Sequence, residues 1–173
     1  MIIGKADLEI EPHHINIGSD HFAVGINDGV WFYRWRPIGA IDVTKQSMLH
    51  LVCKREYNST VKKVVMNDIW AAALAEGQVF LHQIEDDTQQ MRKFPMNKNQ
   101  DIPIVDVEMA GDFLIMIDAQ GKIKYYIIED NSTIAEHKSE NPITKVFPNS
   151  SGTKVICMDN TGNGYLYNPI DDT

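Results

Sequence analysis

The 173-residue sequence predicts an all-β fold, and three observations support this class. A unit made of an apolar run, a glycine turn and a second apolar run recurs four times along the chain. The runs are rich in Val, Ile, Phe, Tyr and Trp, which favour strands over helices. A strand-like segment also comes before each unit, so each repeat supplies at least three strands.

The four copies share one layout, and their turns lie at regular intervals. They read HFAVGINDGVWFYRW at 21–35, IWAAALAEGQVFLHQIE at 69–85, DFLIMIDAQGKIKYYIIED at 112–130 and TKVICMDNTGNGYLYNP at 153–169. The intervals between their turn glycines are 48, 44 and 41 residues, counted from Gly29 to Gly77, Gly121 and Gly162. A glycine there supplies the positive φ that a tight hairpin requires, so each unit is predicted to be a β-hairpin.

Further strands complete each copy. We expect a first strand ahead of each hairpin, at 14–17, 60–66, 104–109 and 143–147. In the later copies a polar segment follows the hairpin, and 132–138 is predicted to be an outer edge strand that faces water. The inner runs are almost continuously apolar, which indicates sheets covered by protein on both faces.

Stacked four-stranded sheets at this period are typical of a β-propeller, whose blades take about 40–45 residues each. The sequence therefore predicts one domain over 1–173, a partial β-propeller of about four blades made of antiparallel four-stranded sheets. The blade-like units are expected at about 12–50, 58–98, 102–140 and 141–170. Because four blades leave the two end faces open, we expect another chain segment to close them and the isolated chain to self-associate.

Two segments are ambiguous between helix and strand. Residues 68–77 (DIWAAALAEG) have four alanines, an aspartate at the N-cap position and a closing glycine, all of which favour a helix. A helix there would break only the second copy of the repeat, so we predict a strand. Residues 46–56 are also predicted to contain a strand, preceded by a long loop.

Charge and hydropathy exclude several classes of partner. The net charge is −8, with no long basic run, which argues against a nucleic-acid partner. No run of 18 apolar residues is present, so no direct membrane insertion is expected. The first ten residues are too short and too charged for a signal peptide, which predicts a cytoplasmic chain. Cys53 and Cys157 form no CxxC motif and are interpreted as buried thiols.

The histidines were weighed as metal ligands. His13, His14, Asp20 and His21 carry zinc-type donors, but no HxH or HExxH spacing is present. We interpret them as polar residues of turns and strand edges, and keep a metal-dependent propeller hydrolase as a remote alternative. His82, inside an apolar run, is predicted to be a hydrogen-bonded strand residue rather than a catalytic base. No catalytic residue, metal or cofactor is expected, and the chain is predicted not to be an enzyme.

Aromatic and arginine side chains mark the candidate interaction surface. The segment VWFYRWRP at 30–37 interleaves the two types, and on a strand Trp31, Tyr33 and Trp35 share one face. We interpret these aromatics as core filling between blades with a cationic rim, rather than as a base-stacking surface. Exposed aromatic and Arg anchors dominate the energetics of many protein interfaces. Trp35, Arg36 and Tyr126 are therefore the candidate interaction residues.

Six segments resemble one family in the same order, over residues 11 to about 170: EPHHINIG, HFAVGINDGVWFY, WAAALAEGQVFLHQIE, DFLIMIDAQGKIKYYIIED, KVFPNSSGTK and GYLYNP. They resemble the second propeller of the WD repeat-containing protein 19 family, the WD-repeat subunit of intraflagellar transport complex A. WAAALAEGQVFLHQIE is the most specific stretch. The Gly-His and Trp-Asp signatures of typical WD repeats are missing from this chain.

The resemblance implies a non-enzymatic scaffold that supports retrograde ciliary transport and admits membrane proteins to the cilium. Its implied partners are other subunits of intraflagellar transport complex A and ciliary membrane cargo adaptors. The implied locations are the cilium and basal body, with a cytoplasmic pool. The alternative is a propeller module of another vesicle coat or of a regulatory scaffold.

Overall fold

The structure is a computed structural model that describes residues 11–35, 49–86, 88, 90–97 and 101–170. Within these ranges the backbone forms fifteen strands and no helix, which confirms the all-β prediction. The strands lie in four antiparallel sheets, and neighbouring strands in a sheet are neighbours in the chain. In the same ranges, no helix is long and apolar enough to span a bilayer.

The first two sheets have four strands each. Sheet 1 contains β1 (His14–Ile17), β2 (His21–Ile26), β3 (Gly29–Trp35) and β4 (Leu49–Glu56). Sheet 2 contains β5 (Val61–Met66), β6 (Trp70–Ala75), β7 (Gln78–Gln83) and β8 (Arg92–Phe94). Sheet 1 extends to Glu56 rather than to residue 50, because β4 pairs with β3 as far as Glu56 opposite Gly29.

The last two sheets differ in their number of strands. Sheet 3 contains β9 (Ile104–Ala110), β10 (Phe113–Asp118), β11 (Lys122–Ile127) and β12 (Ser132–Lys138). Sheet 4 contains β13 (Ile143–Pro148), β14 (Val155–Asp159) and β15 (Gly164–Tyr167). The polar strand β12 is the outer edge of sheet 3, as predicted. Sheet 4 has three strands in the described residues, where four were predicted.

The alanine-rich segment is a strand despite its helical propensity. β6 pairs with β5 on one side and with β7 on the other, so both edges of its backbone are hydrogen bonded. All five residues from Ala71 to Ala75 are buried at 2% exposure or less. Burying these side chains on both faces of the sheet stabilises the strand. This gain in free energy is larger than the small intrinsic preference of alanine for a helix. The prediction of a strand here is confirmed.

The four sheets stack in chain order through three apolar clusters. Alternate side chains of one strand enter different clusters, since successive residues point to opposite faces. In β6, Ala71 and Ala73 pack against sheet 1, while Ala72 and Leu74 pack against sheet 3. In β10 the same alternation divides the side chains between sheets 2 and 4. Sheets 2 and 3 are therefore covered on both faces, as the continuous apolar runs predicted.

Two buried carboxylates shape the hairpin turns of the last two sheets. Asp118 Oδ1 accepts hydrogen bonds from the backbone N–H groups of Gln120 at 2.9 Å and Lys122 at 3.1 Å. Asp159 Oδ1 accepts from the N–H groups of Thr161 and Asn163, both at 2.9 Å. Burial alone would raise the pKa of Asp159. The backbone hydrogen bonds, together with hydrogen bonds from the side chains of Thr161 and Tyr165, outweigh burial and hold that pKa well below its ordinary value. The two turns are therefore stabilised by the same Asx-type hydrogen-bond pattern, which recurs at the spacing of the sequence repeat.

A second repeated device ties each hairpin to the next sheet. Sheets 2, 3 and 4 begin with β5, β9 and β13. The first residue of each of these strands donates its backbone N–H to a carbonyl in the hairpin turn of the preceding sheet. The bonds are Val61 to Asn27 at 2.7 Å, Ile104 to Gly77 at 2.8 Å and Ile143 to Gly121 at 3.2 Å. Each sheet after the first is therefore hydrogen bonded at its first strand to the hairpin turn of the sheet before it.

Candidate interaction surface

One of the three predicted interaction residues, Trp35, lies at the end of β3. Trp35 is the last residue of that strand and is opposite Leu49 of β4. Arg36 follows it and lies outside the described residues. The interaction role of Trp35 and Arg36 stays a prediction.

Tyr126 is buried, with 4% of its surface exposed, so the prediction that it lies on an open surface is wrong. Its ring contacts that of Phe94 with the centroids 4.7 Å apart, and its hydroxyl donates to Asn131 Oδ1. Arg92 Nη1 lies 3.3 Å from the same hydroxyl oxygen. The physical reason is the stack: the adjacent Tyr125 and Tyr126 point to opposite faces of sheet 3, and each face is covered by a neighbouring sheet.

A groove on the outer rim lies next to Tyr126 and was not found from the sequence. Its volume is about 650 Å³, and it runs between β8 and the β11–β12 hairpin. Exposed Met96, half-buried Met91 and Phe94, and the cation Lys93 line it. Met96 is 89% exposed, which is unusual for a large apolar side chain. A groove with apolar side chains beside a basic one is suited to bind a protein segment that carries both apolar and acidic residues.

A buried polar network joins sheets 1 and 2. Tyr57 O–H donates to His82 Nε2 at 2.8 Å, and His82 Nδ1 lies 2.9 Å from the backbone carbonyl of Gln83. A carbonyl can only accept, so Nδ1 carries the proton and Nε2 is the acceptor. Phe32 meets the imidazole edge-on, with ring centroids 5.4 Å apart. The prediction that His82 is a hydrogen-bonded strand histidine is confirmed.

This burial determines which forms of the two side chains are stable. Burial lowers the pKa of His82 to about 4, an effect that the nearby Arg55 guanidinium strengthens. Burial also raises the pKa of Tyr57 well above its ordinary value. Both groups are therefore neutral at pH 7, which suits a structural network between sheets better than proton transfer.

The histidines weighed as metal ligands have other roles. His21 is buried, and its Nε2 lies 3.0 Å from Glu85 Oε1, which also pairs with Arg34. His13 and Asp20 are exposed, and His14 lies on the edge strand β1. In the described ranges, no three His, Cys, Asp or Glu side chains are grouped as a metal ion would need. The interpretation of His21 as a turn or edge residue is wrong, because its side chain faces the Glu85 turn of sheet 2.

The two thiols also differ in burial. Cys157 is buried in the cluster between sheets 3 and 4, and this burial raises its pKa to about 11. Cys53 is half-buried, and its Sγ–H donates to the Ile84 carbonyl at 3.2 Å. The expected burial is confirmed for Cys157 and is only partial for Cys53.

An ion-pair cluster joins β5 of sheet 2 to β9 of sheet 3. Lys63 Nζ lies 2.8 Å from Asp106 Oδ1 and 2.5 Å from Glu108 Oε1. Burial acts to lower the pKa of Lys63, but the hydrogen bonds and charges of the two carboxylates outweigh it and raise that pKa. Lys63 therefore neutralises two like charges on one strand, and an inner pocket of about 430 Å³ begins beside it.

Replacing Lys63 by Met should lower the free energy of unfolding by roughly 1–2 kcal/mol, because Asp106 and Glu108 would then repel each other without a shared cation. Urea denaturation at pH 7 measures the change. Lys62→Met is the matched control, since Lys62 is exposed on the same strand, and we expect it to change stability by less than about 0.5 kcal/mol. Equal effects of the two substitutions would show that the ion-pair cluster adds nothing to stability.

Comparison with known proteins places this arrangement in a family. A family model described as the WDR19 second beta-propeller matches residues 3–173. WD repeat-containing protein 19 of Homo sapiens is 30% identical over 171 residues, which cover 95% of this chain and 12% of that protein. WD repeat-containing protein dyf-2 of Caenorhabditis elegans is 22% identical over 180 residues, with 96% and 13% covered. The chain thus spans about an eighth of the length of these relatives.

Solved structures support the same fold. Hsv2 of Kluyveromyces lactis superposes with a TM-score of 0.62 at 12% identity, over 96% of this chain and 51% of that chain. The WD40 domain of Toxoplasma gondii coronin gives 0.62 at 13% identity, over 92% and 43%. The computationally designed Ika4 protein gives 0.65 at 15% identity, over 96% and 99%. The predicted partial β-propeller is confirmed, and the chain belongs to the WD repeat-containing protein 19 family, in the region of its second β-propeller.

Proposed function

We propose that this chain is a non-enzymatic scaffold subunit of intraflagellar transport complex A. In this role it supports retrograde transport in the cilium and the admission of membrane proteins to it. The observation that carries the proposal is the family match over residues 3–173, together with 30% identity to WD repeat-containing protein 19 across 95% of the chain.

The stacked sheets suit binding at several surfaces at once. Three apolar clusters and the backbone bonds between sheets make the core rigid, while the turns and outer strands remain open to solvent. The sequences of such loops and edge strands can change without disrupting the hydrophobic core. Propellers commonly carry their binding residues there. The rim groove beside Lys93 and Met96 is one surface of this kind.

The proposed partners are the other subunits of intraflagellar transport complex A and ciliary membrane cargo adaptors. The proposed locations are the cilium and basal body, with a cytoplasmic pool. A propeller of another vesicle coat or regulatory scaffold would have the same stacked sheets and the same open loops and edge strands. The family match supports the ciliary assignment over that alternative.

Reversing one charge tests the predicted interaction surface. We expect Arg36→Glu to weaken capture of purified complex A subunits at least tenfold, because a desolvated interfacial Arg contributes more than about 1.4 kcal/mol. The thermal midpoint should stay unchanged. Pulldown with defined subunits measures the capture, and Lys138→Glu, at an exposed position at the end of β12, is the charge-matched control.

Two results would contradict different parts of this proposal. Unchanged capture by the Arg36 variant would remove that residue from the interface and leave the scaffold role intact. Failure of the unmodified chain to capture any complex A subunit would contradict the scaffold role itself.

A further inference from the structure

The rim groove between sheets 2 and 3 has walls from both sheets. Arg92 and Phe94 of β8 form one wall, and Tyr126 and Thr133 of sheet 3 form the other. Met96, which follows β8 and is 89% exposed, also lines the groove. Both walls lie inside the stack, so the shape of the groove does not depend on the surfaces of the first and last sheets.

Arg92 is a cation of this groove that the fold holds in one position. Its Nη1 lies 2.6 Å from the carbonyl oxygen of Ile128 and 3.3 Å from the hydroxyl oxygen of Tyr126. The guanidinium also lies over the ring of Trp70, 4.9 Å from the ring centroid. Because these contacts fix the half-buried side chain before a ligand arrives, they lower the entropy cost of binding one.

The charge of Arg92 has no acidic partner among the described residues. Its partners there are two neutral oxygens and an aromatic ring, and both hydrogen bonds use Nη1. A guanidinium has five N–H donors, so those of Nε and Nη2 remain for a ligand. Two parallel N–H groups of this kind bind a carboxylate as a bidentate pair. The free side of Arg92 is therefore suited to a carboxylate brought by a partner.

The neighbouring charges leave Arg92 as the main anchor. The ammonium of Lys93 lies on the other face of β8, with Nζ 5.6 Å from the centroid of the Phe80 ring. Glu129 and Asp130 lie in the turn between β11 and β12, and neither lines the groove. The described residues that line it include no carboxylate. A bound carboxylate is therefore expected at Arg92.

The rest of the groove offers apolar surface. The half-buried ring of Phe94 packs on Tyr126, and the side chain of Met96 is almost fully exposed. Gln78 Nε2 donates to the carbonyl of Pro95 at 2.9 Å, which holds the backbone between Phe94 and Met96. Methionine adapts its shape to different apolar partners. A large apolar side chain of a partner can therefore pack on Phe94 and Met96.

We infer that the groove binds a segment of a partner protein in which an Asp or Glu side chain lies close to a large apolar one. The carboxylate pairs with Arg92 through Nε and Nη2, and the apolar side chain packs on Phe94 and Met96. This inference rests on the proposed scaffold function and states the chemistry of one of its partners.

Selection from a random library of short linear peptides on the purified 173-residue chain tests the inference. We expect the selected peptides to be enriched in Asp or Glu close to Leu, Phe or Trp. Fluorescence anisotropy then measures the affinity of one selected peptide for each variant. Met96→Glu should weaken binding roughly tenfold, because it removes apolar surface and repels the carboxylate. Arg92→Lys keeps the charge but not the bidentate geometry, so it should also weaken binding.

Ile69→Glu is the matched control. Ile69 is 55% exposed in the turn before β6, outside the groove, and this variant should keep the full affinity. The thermal midpoint of each variant checks folding. Where Arg92→Lys lowers that midpoint, Met96→Glu decides, because its side chain is exposed.

Three results would overturn the inference: no enriched sequence, enriched peptides without acidic residues, or an affinity that Met96→Glu leaves unchanged. Equal weakening by Ile69→Glu would also overturn it, since added charge alone would then explain the loss. The selection uses no complex A subunit. Its failure therefore removes the groove from the account and leaves the capture test of the scaffold role as it stands.

Discussion

Lowering the pH from 7 to about 4 is expected to reduce the free energy of unfolding by about 3 kcal/mol through His82 alone. The folded pKa of His82 is about 4, below the ordinary value of 6.5, because the side chain is buried between sheets 1 and 2. Below pH 6.5 the unfolded chain binds a proton that the folded chain does not bind. The stabilising contribution is therefore complete above pH 6.5 and is lost as the pH falls toward 4.

Urea denaturation of the unmodified chain and of His82→Gln at several pH values measures this effect. The glutamine keeps an acceptor for Tyr57 but does not titrate, so the loss between pH 6.5 and 4 should become smaller by about the same 3 kcal/mol. Gln83→Ala, at the exposed neighbour on β7, should retain the full loss. If His82→Gln and the unmodified chain lose the same stability, the buried neutral histidine is not the source.

Gly121→Ala is expected to lower the free energy of unfolding by on the order of 3 kcal/mol. Gly121 has a φ of 73°, and an added Cβ would lie 2.4 Å from Pro142 Cα and 2.6 Å from the backbone N of Ile143. The atoms that would have to move belong to the backbone that enters sheet 4. Backbone strain and a steric clash therefore add at this position.

Gly162→Ala separates these two causes. Gly162 has a φ of 88°, but its added Cβ would meet no atom of the described residues within 4 Å. We expect this control to cost only about 1 kcal/mol, from backbone strain alone. Thermal and urea denaturation of both variants measure the difference. Equal costs would mean that the Gly121 turn does not hold sheet 4 against sheet 3.

The sequence was sufficient to predict the repeat and its strands. The clearest case is β6, where the position of the alanines in the repeat outweighed their preference for a helix. Turn glycines at regular spacing located the hairpins, and Gly77, Gly121 and Gly162 have the positive φ expected of them. The expectation was wrong for the first turn, where Asn27 rather than Gly29 has the positive φ. Local patterns were sufficient here because each blade is built mostly from contacts between neighbouring strands.

Contacts between sheets could not be predicted in the same way. Tyr126 was predicted to be exposed, but the structure buries it because β8 of the preceding sheet covers that face. The partners of His21 and Lys63 lie 64 and 43 to 45 residues away, so no local spacing identifies them. The turn carboxylates Asp118 and Asp159 are the exception: each lies three residues before a turn glycine, a signal that could have located them.

The composition of intraflagellar transport complex A in ciliated cells tests the central claim most directly. The chain would be tagged, the complex purified through another of its subunits, and the ratio of chain to subunits measured by quantitative mass spectrometry. A scaffold built from stacked sheets should be recovered at a fixed ratio to the other subunits, and it should keep that ratio through further purification. Recovery at trace levels, or absence of the chain from the complex, would contradict the account.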